Sequence, residues 1–154
     1  ITDGWIRGVK GNEYAEDLTS GDATAVIGWS GDMFILASEN EGKFDFAIPE
    51  SGGTISSDNF VIPYTATADA KANAEKMINY YYDPAVAAEV AAYVNYVCPV
   101  KGAQAEMEKI DPDLAASEYI FPTEKTMAKL NVFRALTTDE ETTWTEAFQK
   151  AAGN

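Results

Sequence analysis

The residues best suited to chemistry lie in Ile27-Gly28-Trp29-Ser30-Gly31-Asp32, an apolar stretch that ends on an indole and a carboxylate. An indole packs its face on methylenes and on a cation, and a nearby carboxylate accepts charge-assisted hydrogen bonds from an ammonium. The pair suits an alkylammonium ligand. On the residues alone, a core tryptophan followed by a helix N-cap is the more ordinary reading. A second carboxylate, Asp58, follows the Ser51-Gly52-Gly53 turn and opens an apolar stretch. An acid there either meets a partner or forms an Asx turn. Tyr80, Tyr81, Tyr82, Tyr93 and Tyr96 make an aromatic-rich helical region in which most rings are expected to pack, and composition alone selects no ligand-facing one.

Charge narrows the chemistry further. The chain of 154 residues carries 11 basic and 25 acidic side chains and no histidine, a formal charge of −14 at neutral pH. So acidic a surface, with no basic stripe, repels phosphate backbones, which argues against nucleic acid or an anionic membrane as partner and favours cations. Lack of histidine removes Ser-His-Asp and Cys-His catalysis and most zinc or copper sites. Carboxylate chemistry stays open, but no acid has a neighbourhood that marks a glycosidase general acid, and the Asp/Asn-Gly spacing of a calcium loop is missing. Glu106, Glu108, Glu140 and Glu141 read as solvated faces. Neither a catalytic residue, a metal ligand nor a cofactor is therefore assigned.

Composition of 46% hydrophobic and 12% aromatic residues is enough for a buried core, and the length suits about one globular domain. The single cysteine, Cys98, sits among Tyr96, Val97 and Val100 and reads as a buried structural thiol. No run approaches the roughly 18 apolar residues of a membrane span. The chain opens at Ile1 without a signal-peptide pattern, which reads as a processed product or a piece of a longer protein.

The elements that would position these residues alternate. Asn12 is expected to cap a short helix to about Ser20, broken by Gly21-Asp22. Residues 23–29 read as a buried strand of an α/β sheet, followed at once by a helix in which Asp32 stands at the N-cap or in the first turn, ending near Gly42. Phe44, Phe46 and Ile48 alternate with polar or small residues as a second strand, and residues 58–63 read as a third. Ala70, Ala74, Met77, Ile78 and Tyr81 have helical spacing, and Asp83-Pro84 opens another helix to about Asn95. A helix over 103–110, a turn at Asp111-Pro112 and a short helix capped by Thr123 follow. In the last helix Thr138 and Glu141 are expected to form a capping box, and Trp144, Ala147, Phe148 and Ala151 an apolar stripe.

Read in order, three blocks resemble the periplasmic polyamine-binding proteins, the receptors of spermidine and putrescine ABC importers. They are AVIGWSGD (25–32), FAIPESGGTISSDNFVIP (46–63) and NAEKMINYYYDPAVAAEVAAYVNYVCPVKGA (73–103), followed by Ile120-Phe121-Pro122. The resemblance covers roughly residues 10–150 and implies the C-terminal part of an α/β, type II periplasmic-binding-protein-like fold, comprising parts of both lobes. By resemblance, residues 1–57 form a second-lobe segment and crossover, residues 58–97 a first-lobe segment, and residues 98–154 the return to the second lobe with the C-terminal helices. A piece of this kind is expected to associate with a missing N-terminal part.

The resemblance also implies roles. Trp29 is similar to the tryptophan that stacks on the polyamine chain, Asp32 and Asp58 to acids that bind its ammonium groups, and Tyr96 to a loop tyrosine that contacts ligand, with Tyr93 one helical turn away. The implied function is the non-enzymatic capture of a small-molecule polyamine in an interlobe cleft and its delivery to an ABC transporter permease. The implied location is periplasmic or extracellular, with a lipid anchor on a leading cysteine in Gram-positive members. Two positions depart from the pattern. Ser56-Ser57 stands where many relatives have an aromatic residue, and Phe133 where spermidine binders carry glutamine. The first leaves the ligand's length open and keeps alive a receptor of the same fold for a different small ligand, and the second favours a shorter diamine or a different amine. An enzyme acting through carboxylates and a purely structural acidic domain are the remaining alternatives.

Overall fold

The computed structural model describes residues 3–40 and 42–152; Ile1, where the chain opens, lies outside them. In chain order the elements are α1 (Tyr14–Ser20), α2 (Ser30–Glu39), β1 (Gly53–Ile55), α3 (Ala68–Tyr81), α4 (Pro84–Val94), α5 (Ala103–Ile110), α6 (Pro112–Ala116), α7 (Glu124–Met127), β2 (Leu130–Val132) and α8 (Thr138–Ala152). They fall into two compact units, residues 1–29 with 133–154, and residues 30–132.

Within the unit 30–132, small residues let three helices approach closely. Ala87, Ala88 and Ala91 of α4 meet Ala103 and Met107 of α5, Ala115 of α6 and Ile120, all buried, with Leu114, Phe121 and Cys98 packed against them. Local chemistry sets each boundary. The Asp83 carboxylate accepts the Ala85 N–H at the start of α4, where Pro84 sacrifices no helical hydrogen bond. The Thr67 hydroxyl caps α3 through the Ala70 N–H, and Thr123 caps α7 through the Thr126 N–H. Cys98 is half-buried, its Sγ lying 3.9 Å from the Ala87 carbonyl oxygen.

Several expectations are corrected. Residues 23–29, 44–48 and 58–63 form no strand, and Ile27, expected inside a sheet, is fully exposed. A strand needs a neighbour to complete its ladder, and among the described residues only β1 and β2 pair. Phe44, Phe46 and Ile48 are still half-buried in alternation with exposed neighbours. Their inward face packs on side chains: Phe46 meets Tyr119 edge-on at 5.0 Å, and the Tyr119 hydroxyl donates to the Phe46 carbonyl at 2.6 Å. The observed ladder lies at the expected Gly-Gly turn, where β1 runs parallel to β2 with Gly53 opposite Leu130 and Ile55 opposite Val132. A parallel pair bridged by helices is α/β architecture in miniature, although the described residues are mostly helical.

The Asp111-Pro112 turn starts a further helix, α6, because the Asp111 carboxylate accepts both the Asp113 and Leu114 N–H groups. Tyr80, Tyr82 and Tyr93 are exposed; Tyr81 is the half-buried ring, edge-on to Phe60 at 5.7 Å and to Tyr82 at 5.4 Å.

In the unit formed by residues 1–29 and 133–154, α1 begins one residue later than expected, at Glu13 in place of Asn12, and no side chain caps it. It ends on Gly21, whose φ of 81° supplies the left-handed turn. The capping box of α8 is shifted by one residue. Thr137 and Glu140 form it: the Glu140 carboxylate accepts the Thr137 N–H at 2.9 Å, and the Thr137 hydroxyl accepts the Glu140 N–H at 3.3 Å. Two overlapping boxes exist in Thr137-Thr138-Asp139-Glu140-Glu141. Arg134 selects between them by gripping Glu140 at 2.7 and 3.0 Å. Trp144 and Phe148, expected as an apolar stripe, are exposed.

Candidate functional site

Two of the sequence-predicted residues are brought together from 64 positions apart. Helix α4 ends on Asn95, which takes the left-handed conformation with φ 57° and returns its N–H to the Ala91 carbonyl. Asparagine tolerates that geometry better than most residues, and the turn redirects the chain at Tyr96. The Tyr96 hydroxyl donates to Asp32 Oδ1 at 2.9 Å. Asp32 sits in the first turn of α2, where the helix's positive end favours an acid, and it is half-buried. It is therefore not an N-cap; its Oδ1 is engaged across the fold. Gly31, the residue before it, is buried against the Tyr96 ring.

Asp58 stands apart. It is exposed on the irregular stretch after β1, and no hydrogen bond among the described residues joins it to Asp32 or Tyr96. Its carboxylate accepts no backbone N–H there, so the Asx-turn alternative does not hold; the local turn bond runs instead from the Asn59 amide to the Ser57 carbonyl at 3.0 Å. In the other unit, Trp29 is 54% exposed. Its backbone N–H donates to the Tyr14 hydroxyl at 3.2 Å, so α1 holds the segment that carries the indole.

Ion pairs and burial tune groups elsewhere. Asp17 of α1 meets Lys10 at 2.6 Å and Arg7 at 3.7 Å, and the Lys10 hydrogen bond holds its carboxyl below the usual range. Glu140 is brought down from 4.5 to about 2, first by its hydrogen bonds with Arg134 and then by the Thr137 N–H. Burial, reinforced by nearby Asp45 and Glu118, pushes the Tyr119 phenol up. Tyr119 lines an open hollow with Ile48, Glu118, Thr126 and Lys129, where Glu118 accepts hydrogen bonds from the Thr123 and Thr126 hydroxyls.

Sequence reasoning missed Gly31 and Tyr14. Gly31 carries a usable signal: glycine is a poor helix residue, so its presence inside a first turn points to close approach by another group. Tyr14 carries none, because its use depends on a contact 15 positions away.

The family of bacterial extracellular solute-binding proteins matches residues 2–121, and the chain belongs to it. Among curated proteins it is 29% identical over 130 residues to the putrescine-binding periplasmic protein of Escherichia coli, covering 81% of this chain and 34% of that protein. It is 26% identical to the putrescine/agmatine-binding protein of Pseudomonas aeruginosa, covering 82% and 34% respectively. Against the spermidine/putrescine-binding periplasmic protein of Salmonella typhimurium it is 28% identical, covering 80% and 34%. The chain thus spans about a third of the length of the curated relatives it matches. These relatives are named as binding proteins, not as enzymes. Among the described residues no helix is long and apolar enough to cross a membrane.

Proposed function

We propose that this chain is part of the substrate-binding component of a polyamine ABC importer, which captures a putrescine-sized diamine in an interlobe cleft and hands it to a permease. The observation that carries the reading is the Tyr96–Asp32 hydrogen bond. It holds a carboxylate at a helix N-terminus in a chain whose relatives are named for putrescine and spermidine. In this reading Asp32 and Asp58 each take one ammonium, Trp29 covers the methylenes and Tyr96 orients Asp32 while touching ligand. The exposure of Trp29 and Asp58 and the net charge of −14 support it, because a dication is drawn to a negative surface and desolvated against an aromatic face.

The lobes follow in the same proposal: residues 1–57 and 98–154 in the second lobe, residues 58–97 in the first, and the rest supplied by a preceding part of a longer protein. Capture takes place outside the cytoplasmic membrane and needs no catalytic residue, metal or cofactor.

Calorimetric titration of the full-length protein with putrescine, agmatine and spermidine, beside its Asp58→Asn variant, tests this. One-to-one binding of putrescine, strongly weakened in the variant, is expected. No binding of any of the three amines to a demonstrably folded protein would overturn the polyamine assignment and leave a receptor of the same family for another solute. Ser56-Ser57, where a larger wall is expected, favours that second reading over an enzyme.

A further inference from the structure

Gly31 lies inside the first turn of α2, where alanine would favour the helix more. Its backbone is not in the left-handed region, so conformational freedom does not explain the glycine. Space does. A Cβ at this position would overlap the Tyr96 ring carbons Cε2, Cδ2 and Cζ, the farthest of them only 2.7 Å away. The ring occupies the volume a methyl would fill, and its hydroxyl is the group that donates to Asp32 Oδ1 at 2.9 Å. Three neighbouring facts form one chain of cause. The missing side chain sets how near the ring approaches α2, the ring's position sets the hydroxyl, and the hydroxyl restrains the carboxylate of the very next residue.

We propose that Gly31 is a positioning residue for the ligand-binding carboxylate Asp32, acting through Tyr96. The inference rests on the reading that Asp32 receives an ammonium. A carboxylate already restrained by a phenol loses less side-chain freedom when a cation arrives, so the hydrogen bond preorganises the site before ligand enters. Any side chain at Gly31 displaces the ring and breaks the Tyr96–Asp32 hydrogen bond while the charge of Asp32 is unchanged.

The test is a set of putrescine titrations on the full-length protein carrying Gly31→Ala, Tyr96→Phe, Tyr96→Ser, each double variant and Asp32→Asn, with thermal unfolding measured on every one. Gly31→Ala is expected to weaken binding by roughly 10-fold or more, the scale of one hydrogen bond to a charged group. In the Tyr96→Phe background, where that bond is already lost, the same change should weaken binding far less. In the Tyr96→Ser background, where the ring is gone, it should leave affinity within about twofold and raise the unfolding temperature, as alanine for glycine does in an unhindered helix. Should Gly31→Ala alone fail to fold, the Gly31→Ala/Tyr96→Ser variant still reports: binding like Tyr96→Ser supports the proposal. Equal loss of affinity in all three backgrounds would assign Gly31 to the folding of α2 and overturn it. If the parent binds putrescine, Asp32→Asn does not, and Gly31→Ala binds like the parent, the role of Gly31 falls alone. If Asp32→Asn binds like the parent, the reading of Asp32 falls and takes this one with it.

Discussion

The α4–α6 cluster and the irregular stretch after β1 use similar residue types in opposite ways. In the cluster, Ala87, Ala88, Ala103, Met107 and Ile120 are fully buried, and the helices meet through methyl-sized side chains. In the stretch, Phe60, Val61 and Tyr64 are exposed beside Asp58, with Val61 at 82% and Tyr64 at 100%. The difference separates two tasks. A closed apolar core holds the scaffold in place, whereas Asp58, one of the carboxylates proposed to meet ligand, sits in a segment whose side chains this chain leaves largely exposed. Exposed aromatic surface beside a carboxylate is what a dication with a methylene middle needs, and it contributes nothing to stability until it is covered.

If that division is correct, damage to the cluster and damage to the stretch must report differently in the full-length protein. The largest effect is expected from Met107→Ala, which empties the centre of the cluster and should cost about 2–5 kcal/mol of unfolding free energy by denaturant titration. A loss well under about 1 kcal/mol would mean that the cluster does not carry the scaffold. Asp58→Asn should do the reverse, leaving the unfolding curve nearly unchanged while weakening putrescine binding roughly 10- to 100-fold, the worth of a hydrogen bond to a charged group. Equal effects on stability and affinity would erase the distinction. Asp83→Ala sharpens it at the cluster's edge: losing the α4 cap should cost about 1 kcal/mol, and Asp83→Asn should restore most of it.

The smallest effect is a pH response within the other compact unit. Glu140 has its folded value lowered from 4.5 to about 2 by Arg134 and Thr137. A depressed carboxylate stabilises the folded state above its unfolded value, so the contribution of this cap is complete above about pH 4.5 and disappears as pH falls towards 2. An NMR titration of the Glu140 carboxyl should show the low midpoint, and Arg134→Ala should bring it back towards the ordinary range. A midpoint that ignores Arg134 would mean that the ion pair does not form in solution.

Helices were the readable part of this chain. Asp83-Pro84, Thr123 and the spacing from Ala70 to Tyr81 announce their helices because capping and 3.6-residue periodicity are local. Strands were not readable in the same way. Phe44, Phe46 and Ile48 keep the alternation of a strand and are half-buried, yet what Phe46 packs on is a tyrosine 73 positions later, not a neighbouring ladder. Register slipped where two signals overlapped, as at Thr137 and Thr138, because Arg134 decides between boxes that look alike in sequence.

The candidate site divides along the same line. Residue type and order by themselves determined that the chain is acidic, lacks imidazole chemistry and carries Trp29, Asp32, Asp58 and Tyr96 in an arrangement that resembles polyamine receptors. Only the tertiary structure decided that Tyr96 reaches Asp32, that the ring needs a glycine beneath it, and that Asp58 shares no hydrogen bond with either. The physical reason is range. Charge, capping and periodicity act over a few residues and are written in the chain, whereas a hydrogen bond across 64 positions exists only once the helices between have packed.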